Sequence, residues 1–190
     1  MYFNDFLVGG IVLSGAVTVG CYVANTRFRA AVDDAMKPLR VPERRRSYTA
    51  EDLLEFRTIS SNRPTPLGPS ALDVYRRRVL VLDCGFAVAL AVFSLLCWFV
   101  ATPNLAPSFR WIGWVCGFWS VCYGFADLGE DLMLRILLNP DQEIPERKAD
   151  RAAAMTKLKF ISITLSLVAV FVWGLLGLLE KIGLFGKPRP

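Results

Sequence analysis

Between Phe125 and Leu138 the chain reads FADLGEDLMLRILL, and its three carboxylates, Asp127, Glu130 and Asp131, are spaced i, i+3 and i+4. That spacing puts them on one face of a helix, with Leu134 a turn further on. Asp83 is a fourth acid inside a long apolar run, and Lys157 and Lys159 follow Thr156 in a third segment. Together, Asp83, Asp127, Glu130, Asp131, Thr156, Lys157 and Lys159 form the candidate polar cluster. Such a group can do three kinds of chemistry. The acids can pair with the lysines and fix the order of helices. Two acids at one depth can share a proton or a cation, because both cannot ionise side by side without a large penalty. They can also hold a lipid or small-molecule headgroup.

Other chemistries have little to stand on. The 190 residues include no histidine, which removes the commonest metal ligand and general base. The five cysteines, Cys21, Cys84, Cys97, Cys116 and Cys122, form no CxxC pair. Apolar surroundings keep a thiol inert, although Cys97 and Cys116 fall at similar depth on neighbouring segments, which leaves a disulfide open. GFAD at 124–127 resembles the GxGD motif of intramembrane aspartyl proteases, but Ala126 replaces the second glycine. Leu82 also precedes Asp83 where those enzymes carry tyrosine. The expectation is a protein without cofactor, metal or catalytic activity.

The elements that must position these groups are helices. Apolar residues make up 54% of the chain and the mean hydropathy is +0.40. Four stretches, about 6–24, 79–101, 109–128 and 160–179, each approach the ~20 residues a helix needs to cross a bilayer. Alternating strand patterns are absent. The predicted class is an all-α membrane protein: one domain over 1–190, a four-transmembrane-helix bundle with a short cytoplasmic helix in its first loop. The first stretch lacks a basic leader and a small-x-small cleavage site, so it reads as a retained helix rather than a signal peptide. Thr49, followed by Glu51 and Asp52, starts the short helix, and SSNRPTPLGP ends it. Ser70 and Asp73 resemble a capping box opening a helix that runs unbroken into the second span. TPNLAPS at 102–108 makes an antiparallel hairpin, with Trp98, Phe99, Phe109, Trp111 and Trp114 as an interfacial aromatic belt.

Charge sets the orientation. The net charge is +5, and of 22 Lys and Arg, 12 lie between Arg27 and Arg78 and 6 between Arg135 and Lys159. Basic loops stay on the cytoplasmic side, so the loops at about 27–78 and 135–159 face inward and both termini are non-cytoplasmic, in a plasma or inner membrane. This excludes nucleic acid as the reason for the charge and favours contact with anionic lipids. At ~1.5 Å per residue from Trp111, the inner boundary falls near Glu130 and Asp131. Counted from the hairpin tip at Leu105 and Ala106, Asp83 and Asp127 reach nearly the same depth.

Small residues mark helix-packing positions: Gly10, Ser14 and Gly15 on the first helix, Gly113 and Gly117 on the third, and Gly174 and Gly177 on the fourth. Gly9 and Gly20 enrich the first helix further, so it is expected to face a neighbouring chain.

The pattern Y-x7-D-x2-F (Tyr75, Asp83, Phe86), D-x2-E-D (Asp127, Glu130, Asp131) and T-x2-K-F (Thr156, Lys159, Phe160) resembles that of a group of uncharacterised four-helix membrane proteins. In that group the second motif usually ends in Asn, where this chain has Asp131. The resemblance covers roughly Tyr75 to Leu179 and implies that these polar positions belong together, without implying an activity. The expected function is that of a non-enzymatic integral membrane protein, an accessory or structural subunit of a larger assembly. Its partners would be the bilayer and other membrane subunits or further copies of itself. The alternative is a small proton- or ion-coupled transporter built on Asp83 and Asp127.

Overall fold

A computed structural model describes residues 2–181 except 46, 105, 106, 108 and 109, with the backbone alone described at 2–4, 43, 104, 167, 169, 170 and 173–181. The described residues form five helices: α1 (Tyr2–Met36), α2 (Ala50–Ser61), α3 (Ala71–Ala101), α4 (Arg110–Leu137) and α5 (Glu146–Lys181). Their starts follow local chemistry. Thr49 and Asp52 exchange side-chain-to-backbone hydrogen bonds in a complete capping box at α2. Ser70 accepts from the Asp73 backbone N–H at α3, while the Asp73 carboxylate pairs with Arg77 at 2.7 Å instead of completing a box. α3 is continuous as expected, but it widens into a π-turn over Tyr75–Val79. The extra residue places Tyr75, Val79 and Leu80 together on the buried face and leaves Arg77 and Arg78 exposed.

The four long helices stand in a row. α1 packs on α3, α3 on α4 as the expected antiparallel hairpin, and α4 on α5. Among the described residues, α1 and α5 at the two ends of the row do not pack extensively on each other, so one side stays open. The apolar core does not run along the row. It sits at the end where α2 and the basic segments gather, and Leu53, Phe56, Tyr75, Leu80, Leu134, Leu137 and Ala152 are at most 2% exposed there. Phe56 meets Tyr75 edge-on at 5.2 Å. Each such large side chain stabilises the fold by roughly 1.5–3 kcal/mol when withdrawn from water.

Away from that core the helices bury little. The helices Asp5–Met36 and Ala71–Ala101 are long and apolar enough to cross a membrane by length and composition, yet the most apolar windows are only 6% and 28% buried. Phe6, Val12, Leu13 and Val19 of α1 are all more than 60% exposed. α4 is less apolar because Trp, Gly and Ser interrupt its aliphatic residues, and much of the fourth stretch lies where only the backbone is described.

Glycine contacts locate the close approaches and revise one expectation. A Cβ on Gly10 would meet Leu96 at 3.2 Å, and one on Gly15 would meet Phe93 at 3.2 Å, so this face of α1 is occupied by α3 of the same chain. Ser14 shares that face and turns its hydroxyl back to the Gly10 carbonyl at 2.7 Å. A neighbouring chain cannot dock there. The face packs internally because Leu96 and Phe93 fill the space the missing side chains leave, while Gly9 and Gly20 look onto open space. On α4, Gly113 lies against Thr102 and Gly117 against Leu95. Gly124 brings α4 close to α3, its Cβ position being 2.5 Å from the Ala91 methyl. The side-chain environment of Gly174 and Gly177 lies outside the described residues, as do Phe109 and the hairpin tip at Leu105 and Ala106. Of the aromatic belt, Trp98 is buried, whereas Phe99, Trp111 and Trp114 are exposed.

Candidate functional site

α4 supplies a buried acidic face because Tyr123, Asp127, Glu130, Asp131 and Leu134 recur at the helical period and all turn inward. The first of two networks is centred on Lys159 of α5. Its Nζ donates to Asp127 Oδ1 at 2.6 Å and to Glu130 Oε2 at 2.9 Å. The second oxygen of each acid is also occupied: Tyr123 Oη donates to Asp127 Oδ2 at 2.8 Å, and Thr156 Oγ1 donates to Glu130 Oε1 at 2.5 Å. Side-chain exposures of 15% for Lys159, 4% for Asp127 and 0% for Glu130 make these buried charges. Removing such a charge's partner costs about 3–5 kcal/mol, far more than a surface pair is worth.

Tyr48, from the segment between α1 and α2, closes the network from outside the row, with its hydroxyl 3.5 Å from Thr156 Oγ1. Burial pushes its phenol above the usual tyrosine range, and the nearby Glu130 charge adds to the effect. Tyr48 therefore stays a neutral donor and acceptor. Nothing local in the sequence marks it, since it meets Thr156 across 108 positions.

The second network joins α1 to α3. Asp83 pairs with the Arg29 guanidinium and accepts from Asn25 Nδ2 at 3.4 Å. Asn25 and Arg29 were not singled out from the sequence, although a signal exists: they are spaced i, i+4 directly below the first apolar run. Between the networks lies a cleft of about 220 Å³. Its walls include Tyr22, Asn25 and Arg29 of α1, Asp83 and Phe86 of α3, Tyr123 and Asp127 of α4, and Lys159 of α5, with Arg44 from the following segment.

The predicted cluster is thus divided rather than single. Asp127, Glu130, Thr156 and Lys159 meet directly. Asp83 shares their cleft but takes its own cation. Asp131 is fully buried on the same face of α4. Lys157 is exposed, because one position after Thr156 turns a side chain about 100° around the helix, away from the acids. All five cysteines are free thiols, including Cys97 and Cys116. Among the described residues no group of three or more His, Cys, Asp or Glu is placed to hold a metal ion.

A further joint holds the basic segments to the row. Arg57 of α2 donates to the carbonyls of Asn139 at 2.9 Å and Gln142 at 2.5 Å, and lies 3.5 Å from that of Leu137, at the C-terminal end of α4. Free carbonyls and the negative end of the helix dipole favour a guanidinium at this position. Arg76 adds a bond to the Arg135 carbonyl at 3.3 Å.

Comparison with protein families, curated proteins and solved structures finds no match to this chain.

Proposed function

We propose that this is a multi-pass integral membrane protein that works without catalysis, as an accessory or structural subunit of a larger membrane assembly. Its spans are about 6–24, 79–101, 109–128 and 160–179, its basic segments face the cytoplasm and both termini face away. The observation that carries the subunit reading is the open row. α1 is held to its own chain through the Gly10–Gly15 face, and its other faces present Phe6, Val12, Leu13 and Val19 to the surroundings. Apolar surface of that extent belongs in lipid or against another apolar helix. The two ion-pair networks support a scaffolding role for the polar cluster, since Asp83 and Asp127 are each matched by a cation of the same chain. The pattern shared with the four-helix group is consistent with this, because Asp83, Phe86, Asp127 and Lys159 all line one cleft.

A second reading, a small proton- or ion-coupled transporter, is favoured by that same sharing of one cleft by Asp83 and Asp127. Gentle extraction from the native membrane, followed by native mass measurement, separates the two. The subunit reading expects a particle heavier than the 21.2 kDa chain with its detergent. A monomer that carries protons or a solute in liposomes overturns it.

A further inference from the structure

We infer that the side of the α3–α4 pair turned away from the cleft holds an anionic phospholipid, its phosphate between Arg76 and Arg135 and its acyl chains along two apolar ridges. The inference rests on the membrane reading above and adds to it a defined lipid position.

The cations come first. Arg76 Nε donates to the Arg135 carbonyl at 3.3 Å, which brings the start of α3 against the end of α4. Burial, and then the nearby Arg77 and Arg135 charges, hold the Arg76 guanidinium below its ordinary range, so the three cations crowd one another. Nearby acids do not balance them. Asp73 pairs with Arg77 at 2.7 Å, and Asp141 is the weakest influence on Arg76. Among the described residues, neither Arg76 nor Arg135 has a carboxylate within ion-pairing distance. Two neighbouring guanidinium groups in that condition suit a phosphodiester, whose oxygens accept from both. Their level is also that of a headgroup. Arg135 is exposed and lies one turn past Asp131, about 6 Å beyond the inner boundary at ~1.5 Å per residue.

The place of the acyl chains follows from the helical period. Asp83 and Phe86 of α3 and Tyr123 and Asp127 of α4 line the cleft. Val81, Val88 and Phe125 each stand two positions from one of these, about 200° around the helix, so they point to the far side of the row. Val92 continues the α3 ridge one turn on, and Phe118 and Leu132 extend the α4 ridge by two turns each way. All six side chains are between 41% and 72% exposed. From Leu132 to Phe118 the ridge runs about 21 Å, longer than the ~15 Å half of the hydrocarbon core that one acyl chain occupies. An apolar helix of another subunit fits such ridges but leaves the guanidinium pair unanswered. A lipid phosphate answers both.

The test uses the intact chain in nanodiscs of equal phosphatidylglycerol and phosphatidylcholine with matched acyl chains. Lipids retained on release are counted by native mass spectrometry. One phosphatidylglycerol per chain is expected, enriched about tenfold, the worth of one charge-assisted hydrogen bond. Arg135→Gln keeps the backbone carbonyl that Arg76 uses and should abolish the enrichment. Lys157→Gln removes the same charge from an exposed position on α5 and should leave the enrichment unchanged, which separates a built site from diffuse attraction to basic segments. A photoreactive benzoylphenylalanine at position 125 in native membranes should form a lipid adduct. No enrichment, equal loss in the two variants, or glycerol phosphate binding as tightly in lipid-free micelles overturns the inference. Crosslinking of position 125 to a polypeptide also overturns it, in favour of a subunit contact. Release of the chain by alkaline extraction sinks the membrane reading, whereas a retained chain without the enrichment sinks this inference alone.

Discussion

The ammonium of Lys159 lies 2.6 Å from the carboxylate of Asp127 and joins α5 to α4 across 32 positions of sequence. The same ammonium serves Glu130 at 2.9 Å, so the two ends of this contact are not equivalent. Asp127→Asn removes one acid and leaves Lys159 paired with Glu130. Lys159→Met strands two buried carboxylates. We expect Asp127→Asn to cost about 1–3 kcal/mol and Lys159→Met at least about 3–5 kcal/mol. Unfolding in mixed micelles, followed by tryptophan fluorescence, gives both values. The double variant should recover part of the larger loss, and strict additivity would rule out the pairing.

Arg57 reaches the carbonyls at the end of α4 through a single guanidinium nitrogen, Nη1. Arg57→Ala should cost about 1–2 kcal/mol and open the segment at 139–145 to protease, and Arg57→Lys should rescue part of that loss. Cleavage rates before and after substitution check this. Unchanged protection would mean that the core beneath holds the segment without the cap.

Gly124 and Gly20 should respond oppositely to the same change. Gly124→Ala drives a methyl into Ala91 at 2.5 Å and should separate α3 from α4, costing about 1–3 kcal/mol. Gly20→Ala meets open space inside a helix and should be neutral or stabilising by up to about 1 kcal/mol. Detergent unfolding midpoints of the two variants give the comparison.

The orientation is testable with single cysteines in a chain otherwise free of them. Asp5→Cys and Ser61→Cys use exposed positions, whereas the adjacent Ser60 is buried and would mislead. An impermeant maleimide added to intact cells should label position 5 and spare position 61. Labelling of 61 alone reverses the topology.

Asp52 links α2 to pH. The Thr49 backbone N–H is the leading cause that holds its carboxyl below the usual range, with Arg45 helping. Since the folded pKa is depressed, the stabilisation is full above the unfolded value of ~3.9 and fades as pH falls through the folded one. Asp52→Asn should flatten that acidic limb of stability without changing the neutral plateau's slope. Helicity measured against pH for the two chains shows the difference.

The helical class, the cap at Thr49, the continuous helix beginning at Ser70, the packing of α3 on α4 and the acidic face of α4 are all legible in the residues themselves. Each rests on interactions within a few positions or on periodicity, so local sequence carries it. The match of depth between Asp83 and Asp127 follows from counting along one hairpin, and both do line one cleft. What the order of residues left open is which long-range partner each group takes. Arg29 claims Asp83 from 54 positions away, Arg57 reaches carbonyls more than 80 positions on, and Tyr48 meets Thr156 across 108. Those distances carry no local signal, because any of the inner basic or hydroxyl side chains satisfies the same chemistry. Packing made the choice. The α1 glycines went to Phe93 and Leu96 of the same chain, and the core formed at the basic end. Only there can loops and helix ends bury apolar side chains against one another, while the apolar faces of the long helices are left to their surroundings.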